Sequence, residues 1–400
     1  MGTQNHQSGA VSLFIVVFSA LLITIVTVGF IRLMLTDQQQ ATANDLSQSA
    51  YDSAQAGLED AKRALLRYQD ICSSGDVVAC AKAYTDIVGL GKCNQGLVNI
   101  IDDASLAASE VPVKQNSGDD SLNQAYTCVK IQPQTDDYLG TLTANASKII
   151  PLKGTSTITT VMVEWYDSKN ISNSNLNVTL IAGTSIPISG QPATPHPPLY
   201  NQTATGWGPD RPSLMRTQLM QFGSNFSLTD FDNTNAAGES NANSLFLYPT
   251  GTTGTSSNTI DQYSFTGRDV RFVPVGSPLP VSCSGNLGGG GYACRVKIDL
   301  PTPAAAGSRT AYLRLTPLYN ATNYRVTLLS GNTAVKFDAV QPEIDSTGRA
   351  DTLFRRIKTR VELIDTDFAY PEAAIDVTGS LCKNFVVTDK PADYVNSCTP

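Results

Sequence analysis

The chain has 400 residues, 41% of them hydrophobic and 16% charged, with a formal net charge of −7. That length suffices for one large or two small cores, and the acidic balance argues against a general nucleic-acid-binding surface. The two histidines, His6 and His196, leave histidine-based catalysis at most one candidate base beyond the first nine residues.

Residues 1–9 form a polar leader ending in Gly9, and the run from Ala10 to Ile31 carries no charge. As a helix its length is roughly 33 Å, enough to cross a bilayer core. A cleaved secretory signal has a shorter apolar region of about 7 to 15 residues followed by small residues, whereas Arg32 and Leu33 follow here. The run therefore reads as one membrane-spanning helix. The leader holds no Lys or Arg, so the positive-inside rule has almost nothing to count. Cysteine gives the better argument for orientation. Cys72, Cys80, Cys93, Cys128, Cys283, Cys294, Cys382 and Cys398 all lie beyond the apolar run, and an even set in a loop-rich polar region suits an oxidising compartment. The large C-terminal part is expected outside the cytoplasm.

Past Asp37 the positions Ala43, Leu46, Ala50, Ala54, Leu58, Ala61 and Leu65 recur at steps of three and four, which is one stripe of a helix. Most are alanine, so this face can lie close against a neighbour. Glu59 with Lys62 and Arg63 supplies charge spacing that supports an exposed helix face. No proline occurs between Met1 and Val111. Residues 10–68 as a single helix would be about 88 Å long.

A rod that is half apolar and half amphipathic is the subunit plan of type IV pili and related pseudopili. In sequence this region resembles the PilX-type minor pilins, through the leader ending in Gly9, the opening Ala10-Val11-Ser12-Leu13, then Thr36, Asp37 and the stretch Asn44-Asp45-Leu46 through Gly57-Leu58-Glu59-Asp60-Ala61. The resemblance covers about 60 of the 400 residues. It implies a prepilin peptidase that cuts after Gly9 and leaves Ala10 as the mature N-terminus. It also implies other pilin subunits and a pilus assembly platform as partners, and an inner-membrane subunit with an extracytoplasmic head that ends in a surface pilus. Two departures stand out: Gln7-Ser8 precede Gly9 where a basic residue is usual, and Phe14 is the fifth mature residue where most major pilins have glutamate. A carboxylate there is thought to neutralise a neighbour's new N-terminal amine inside the apolar filament, where an unpaired charge is expensive. Phe14 offers no such pairing, which favours a minor or tip subunit. Phe14 and Arg32 are the residues of interest on this assembly helix.

The fold class expected is α+β: the helix of residues 10–69, spanning the membrane at 10–31, then a Cys-containing mixed helical subdomain at 70–150, then a β-rich, largely antiparallel, pilin-like head at 151–400. Helical patterns occupy Asp76 to Leu90 and Leu97 to Ala108. Strand-like runs include Thr157 to Tyr166, Asn177 to Ala182, Arg295 to Leu300, Thr310 to Leu318, Tyr324 to Leu329, Ala334 to Val340, Thr352 to Ile364 and Ala373 to Val377. The strict alternation of Arg356 to Leu363 predicts a half-buried strand. Thr310 to Leu318 and Tyr324 to Leu329, joined by four or five residues, predict a hairpin. The region from Gln191 to Thr266 is poor in periodicity, and its proline run around His196 excludes helix. Long loops of this kind are where surface recognition usually resides, and simple tolerated insertion is an equally good reading of them.

Cys283 and Cys294 flank a glycine-rich loop, and a disulfide closing it would stabilise by roughly 3 kcal/mol. Cys382 with Cys398 would tie back the tail in the same way. The four N-terminal cysteines allow three connectivities.

Chemistry beyond this is sparse. Gly89-Leu90-Gly91-Lys92 and Gly288 to Gly291 lack the spacing of a phosphate loop. Asp230, Asp232 and Glu239 gather the hard oxygen ligands that calcium prefers, but the EF-hand pattern is not met, and an acidic turn is the plainer reading. No cofactor is implied, with calcium the weak exception. Arg355, Arg356, Lys358 and Arg360 alternate with apolar residues as a strand's solvent face does, which weighs against DNA contact. The sequence thus points to a non-catalytic minor pilin-like subunit acting in filament assembly and in contact with a surface, a cell or DNA. The rivals are a tip pseudopilin of a type II-like secretion system and a single-pass surface adhesin or enzyme with an uncleaved anchor.

Overall fold

The computed structural model describes residues 8–101, 103, 106, 108–113, 123–182, 207–221, 242–251, 261–264, 279–308 and 310–363. A long apolar N-terminal helix is followed by a β-rich, largely antiparallel region. The chain forms two compact units, one of residues 1–131 with 344–359 and one of residues 132–343 with 360–400.

In the first unit α1 (Ser8–Ser73) runs for 66 residues without interruption. Nothing in it forbids a helix, since it lacks proline, and its second half buries Ala50, Ala54, Ala61, Ala64, Leu65 and Tyr68. Helix α2 (Val77–Val88) starts at Asp76, whose carboxylate accepts from the amides of Val78 and Ala79, and stops at Gly89 in the left-handed region at φ 56°. Helix α3 (Gln95–Ile100) ends sooner than the pattern to Ala108 suggests. Ile101 is extended and accepts a turn bond from the Asp103 amide, the kind of local closure that Asp-rich segments favour over helix. Disulfide Cys72–Cys80 ties the end of α1 to α2, and Cys93–Cys128 ties the turn before α3 to β2 (Gln124–Thr135). With β1 (Val111–Pro112), β15 (Phe337–Ala350) and β16 (Leu353–Arg360), β2 forms a four-stranded sheet of order β1-β2-β15-β16.

The remaining strands are β3 (Tyr138–Leu142), β4 (Lys148–Pro151), β5 (Ile158–Asp167), β6 (Ile181–Ala182), β7 (Leu214–Gln221), β8 (Ala242–Gly251), β9 (Asp261–Ser264), β10 (Leu279–Cys283), β11 (Tyr292–Ala304), β12 (Ala311–Leu318), β13 (Thr322–Ser330) and β14 (Thr333–Val335). They form one sheet of order β14-β13-β5-β11-β10-β8-β7-β12-β4, with β3 on β13, β6 on β8 and β9 on β11. The pairs β10 with β8, β9 with β11 and β6 with β8 are parallel. A single core takes Val163 of β5 and Val326 of β13 together with Leu247 of β8 and Leu313 of β12. Strands far apart in the sheet order share that core, so the sheet folds over and packs its halves face to face. Disulfide Cys283–Cys294 joins directly paired residues of β10 and β11.

Several expectations change. The hairpin expected between β12 and β13 does not form: β12 pairs with β7 and β4, while β13 pairs with β5, β3 and β14. Both edges of each strand are taken, and the short link through Tyr319, at φ 77°, joins distant strands instead. The run Asn177 to Ala182 contracts to β6, with Asn177 making only an isolated bridge to Asn286. Strand β16 is more exposed than half-buried, because it ends its sheet. Within the aperiodic stretch from 191 to 266, β7 and β8 are full strands. Ala373 to Val377 and the Gln191 to Pro198 run lie outside the described residues.

Candidate assembly surface

Among the described residues of its own unit the apolar half of α1 has no partner. Every large hydrophobic residue from Leu13 to Leu35 is exposed, Phe14 at 74% among them. Its two threonines are satisfied locally: Thr24 Oγ1 donates to the Ala20 carbonyl and Thr27 Oγ1 to that of Ile23, each at 2.8 Å. In hydrocarbon those hydroxyls would otherwise be unpaired, so the helix meets the condition that a bilayer imposes. One helix long and apolar enough to cross a membrane is therefore present. Gly9 and Ala10 lie in the first turn of α1, and Arg32 is exposed at the end of the apolar run.

The second half of α1 is held differently. Glycines let helix and sheet approach: a Cβ built on Gly348 of β15 would lie 2.2 Å from the Ala50 carbonyl oxygen and 2.2 Å from the Ala54 nitrogen. One on Gly57 would meet Ser346 Oγ at 2.6 Å and Val129 Cγ2 at 2.8 Å. Ser346 Oγ donates to the Ala54 carbonyl, and Tyr126 Oη donates to Asp60 at 2.8 Å. Burial first, then the Asp60 carboxylate, pushes the Tyr126 phenol up, so it stays a neutral donor. Asn94, fully buried, receives the Val129 amide at 2.7 Å and donates to the Ser109 carbonyl, tying the α2–α3 connection to β2.

The basic cluster on β16 is engaged rather than free. Arg356 bonds both oxygens of Asp345 through Nε and Nη2, and Arg355 Nε donates to Ser47 Oγ at 2.8 Å. The Asp345 carboxyl is held below its usual range chiefly by the Arg356 hydrogen bond. In the other unit Arg360 donates to the Asp137 carbonyl.

Six cysteines form the three disulfides, and among the described residues none is free. Cys382, Cys398, His196 and the calcium candidates Asp230, Asp232 and Glu239 lie outside the described residues. Among the described residues no group of three or more His, Cys, Asp or Glu is arranged to hold a metal.

Two polar features of the second unit escaped the sequence reading. Glu164, fully buried on β5, is clamped between Arg295 of β11 and Arg325 of β13. Arg211 lies 3.8 Å over the Trp207 ring, whose other neighbour Tyr319 stacks at 4.5 Å, and Arg211 also donates to Tyr248 Oη. Burial pulls the Arg211 guanidinium down. The Trp207 ring is only 4% exposed, so this is a packing knot. The Glu164 clamp forms across paired strands, which no local sequence pattern announces.

No family model, curated protein or solved structure matches the chain.

Proposed function

We propose that the chain is a minor subunit of a type IV pilus-like filament, acting in assembly or priming and in contact of the head with a surface or cell. The observation that carries this reading is α1: one helix whose first half is apolar and exposed and whose second half is clasped by a sheet through Gly57, Gly348 and a run of alanines. A helix needed only as an anchor has no reason to continue for ten further turns, whereas a subunit rod needs both halves. The three disulfides fit an extracytoplasmic head. Phe14 in place of a carboxylate fits a minor rather than a bulk position. The work of such a subunit is recognition and assembly, without catalysis or a bound cofactor.

Intact-mass measurement of the protein extracted from its own membrane tests this. A chain starting at Ala10, after prepilin-peptidase cleavage, is the expected result. A chain retaining Met1 to Gly9 overturns the processed-subunit reading in favour of a single-pass surface protein.

A further inference from the structure

Strands β5, β11 and β13 lie side by side, with β5 in the middle, and send Val163, Val296 and Val326 into the core. By the period of two, the residues between those share the outer face of the sheet. On that face Arg295, Glu164 and Arg325 stand in one cross-strand row, each arginine directly paired with the glutamate. A carboxylate on an outer face is ordinarily open to water. Glu164 is instead fully buried, while the arginine side chains on either side of it remain 35% and 33% exposed.

Arg295 Nε donates to Glu164 Oε1 at 2.5 Å, and Arg325 Nε donates to Oε2. A guanidinium holds five N–H donors in a fixed fork. Each arginine spends one of them on Glu164, and among the described residues neither makes a second hydrogen bond or ion pair. The remaining donors of both forks are thus left for solvent, steadied by the carboxylate and, at Arg325, by the Tyr292 ring, whose centroid is 5.2 Å away. Stability is a weak reason for such a triad, because pairing buried charges returns about what their desolvation costs. What the triad does supply is two forks fixed side by side.

The row also keeps a positive excess. Lys297, next on the same face of β11, donates to the neutral Asn332 Oδ1 at 3.0 Å, and Asp299 beyond it accepts from Thr160 at 2.8 Å. Three cations against two carboxylates leave one positive charge on this face. Asp136 and Asp137, just before β3, are paired with Lys336 and Arg360.

One excess charge on so short a row matches a single anionic group rather than an extended polyanion. A planar carboxylate fits guanidinium forks best. Both edges of β5, β11 and β13 are paired, so a peptide cannot add there as a further strand. Tyr292 offers a flat apolar ring with a hydroxyl, and Asn332 a neutral amide, which suit the C–H face and the hydroxyls of a sugar.

We propose that Arg295 and Arg325 hold the carboxylate of an acidic sugar, a uronic acid unit of a surface glycan, with Tyr292 beside the sugar ring. The inference rests on the reading of the head as the part that contacts a surface or cell, and names the chemistry it contacts.

The test is isothermal titration calorimetry of the full chain in detergent with trigalacturonate, with maltotriose as the neutral control and hexaglutamate as the peptide control. Trigalacturonate should bind, and more weakly at ~1 M than at ~0.1 M salt, while both controls bind at least about tenfold more weakly. Arg295→Lys and Arg325→Lys keep a cation for Glu164 but remove the fork. Each should lower the affinity about tenfold, whereas Lys82→Ala, on the other unit, should leave it unchanged. Absence of trigalacturonate binding at millimolar concentration, or binding that neither arginine variant weakens, overturns the site and leaves the subunit reading standing. Hexaglutamate bound as tightly as trigalacturonate overturns the sugar assignment and gives the row to an acidic protein surface. Arginine-dependent binding by a chain that retains Met1 to Gly9 supports the site and overturns the subunit reading alone.

Discussion

A single hydrogen atom in place of a methyl group decides how closely α1 can lie on its sheet. At Gly348 the obstruction to a Cβ is helix backbone, 2.2 Å away at both Ala50 and Ala54. Backbone cannot swing aside as a flexible side chain can, so either the helix lifts or β15 bends. Overpacking of this kind costs about 1–3 kcal/mol. Gly348→Ala should therefore lower the thermal midpoint of the full chain clearly in a circular-dichroism melt. Gly285→Ala is the matched control: a Cβ there meets nothing within 4 Å, and the expected change is within about 0.5 kcal/mol. Equal effects at the two positions would contradict the close helix–sheet approach. Gly57 works from the helix side, where the obstacles are the side chains of Ser346, Val129 and Tyr126, so its alanine variant should be milder than that at Gly348.

At the scale of elements, what staples α3 to the sheet is covalent. The helix has only six residues, too few to hold itself together in water. Its anchors are Asn94, bonded to β2 through both backbone and side chain, and the disulfide Cys93–Cys128, which closes a separation of 35 residues. Loop entropy assigns such a crosslink about 4 kcal/mol. Replacing both cysteines with serine should leave β2 paired and release the α2–α3 segment. Amide hydrogen exchange checks this, with protection lost over residues 95–100 of α3 and kept over residues 124–135 of β2; uniform protection across both would count against it. The sequence made some of these elements plain and hid others for physical reasons. The stripe from Ala43 to Leu65 was legible because burial on one face imposes a helical period. The glycine contact at Gly348 was not, since nothing local says what a strand residue will face. Strands β7 and β8 were missed because Leu214-Met215 and Leu245-Phe246-Leu247 are apolar on both sides of the sheet: two-faced burial erases the alternation that marks a strand. The hairpin error has the same root, as adjacency in sequence does not choose partners when every strand edge is already taken.

On the scale of the whole molecule, the apolar half of α1 and the rest of the chain have separate jobs. Among the described residues none before Ala50 belongs to the buried core, while every large hydrophobic from Leu13 to Leu35 is exposed. Contiguous apolar surface on that scale marks an interaction site, and the helix is long and apolar enough to cross a bilayer. Removing residues 1–35 thus deletes a surface that needs covering and no interaction that stabilises the fold. The truncated chain is expected to leave the membrane fraction and stay soluble without detergent. Its thermal midpoint should lie within a few degrees of the full chain's, since a loss of even 1 kcal/mol would move a domain this large by about 2–4 °C. Fractionation and a parallel melt read both outcomes. A truncated chain that still pellets with membranes would place the anchor elsewhere. One that melts much earlier would mean that the apolar half supports the fold directly, and the division of α1 into a lipid-facing half and a sheet-clasped half would have to be abandoned.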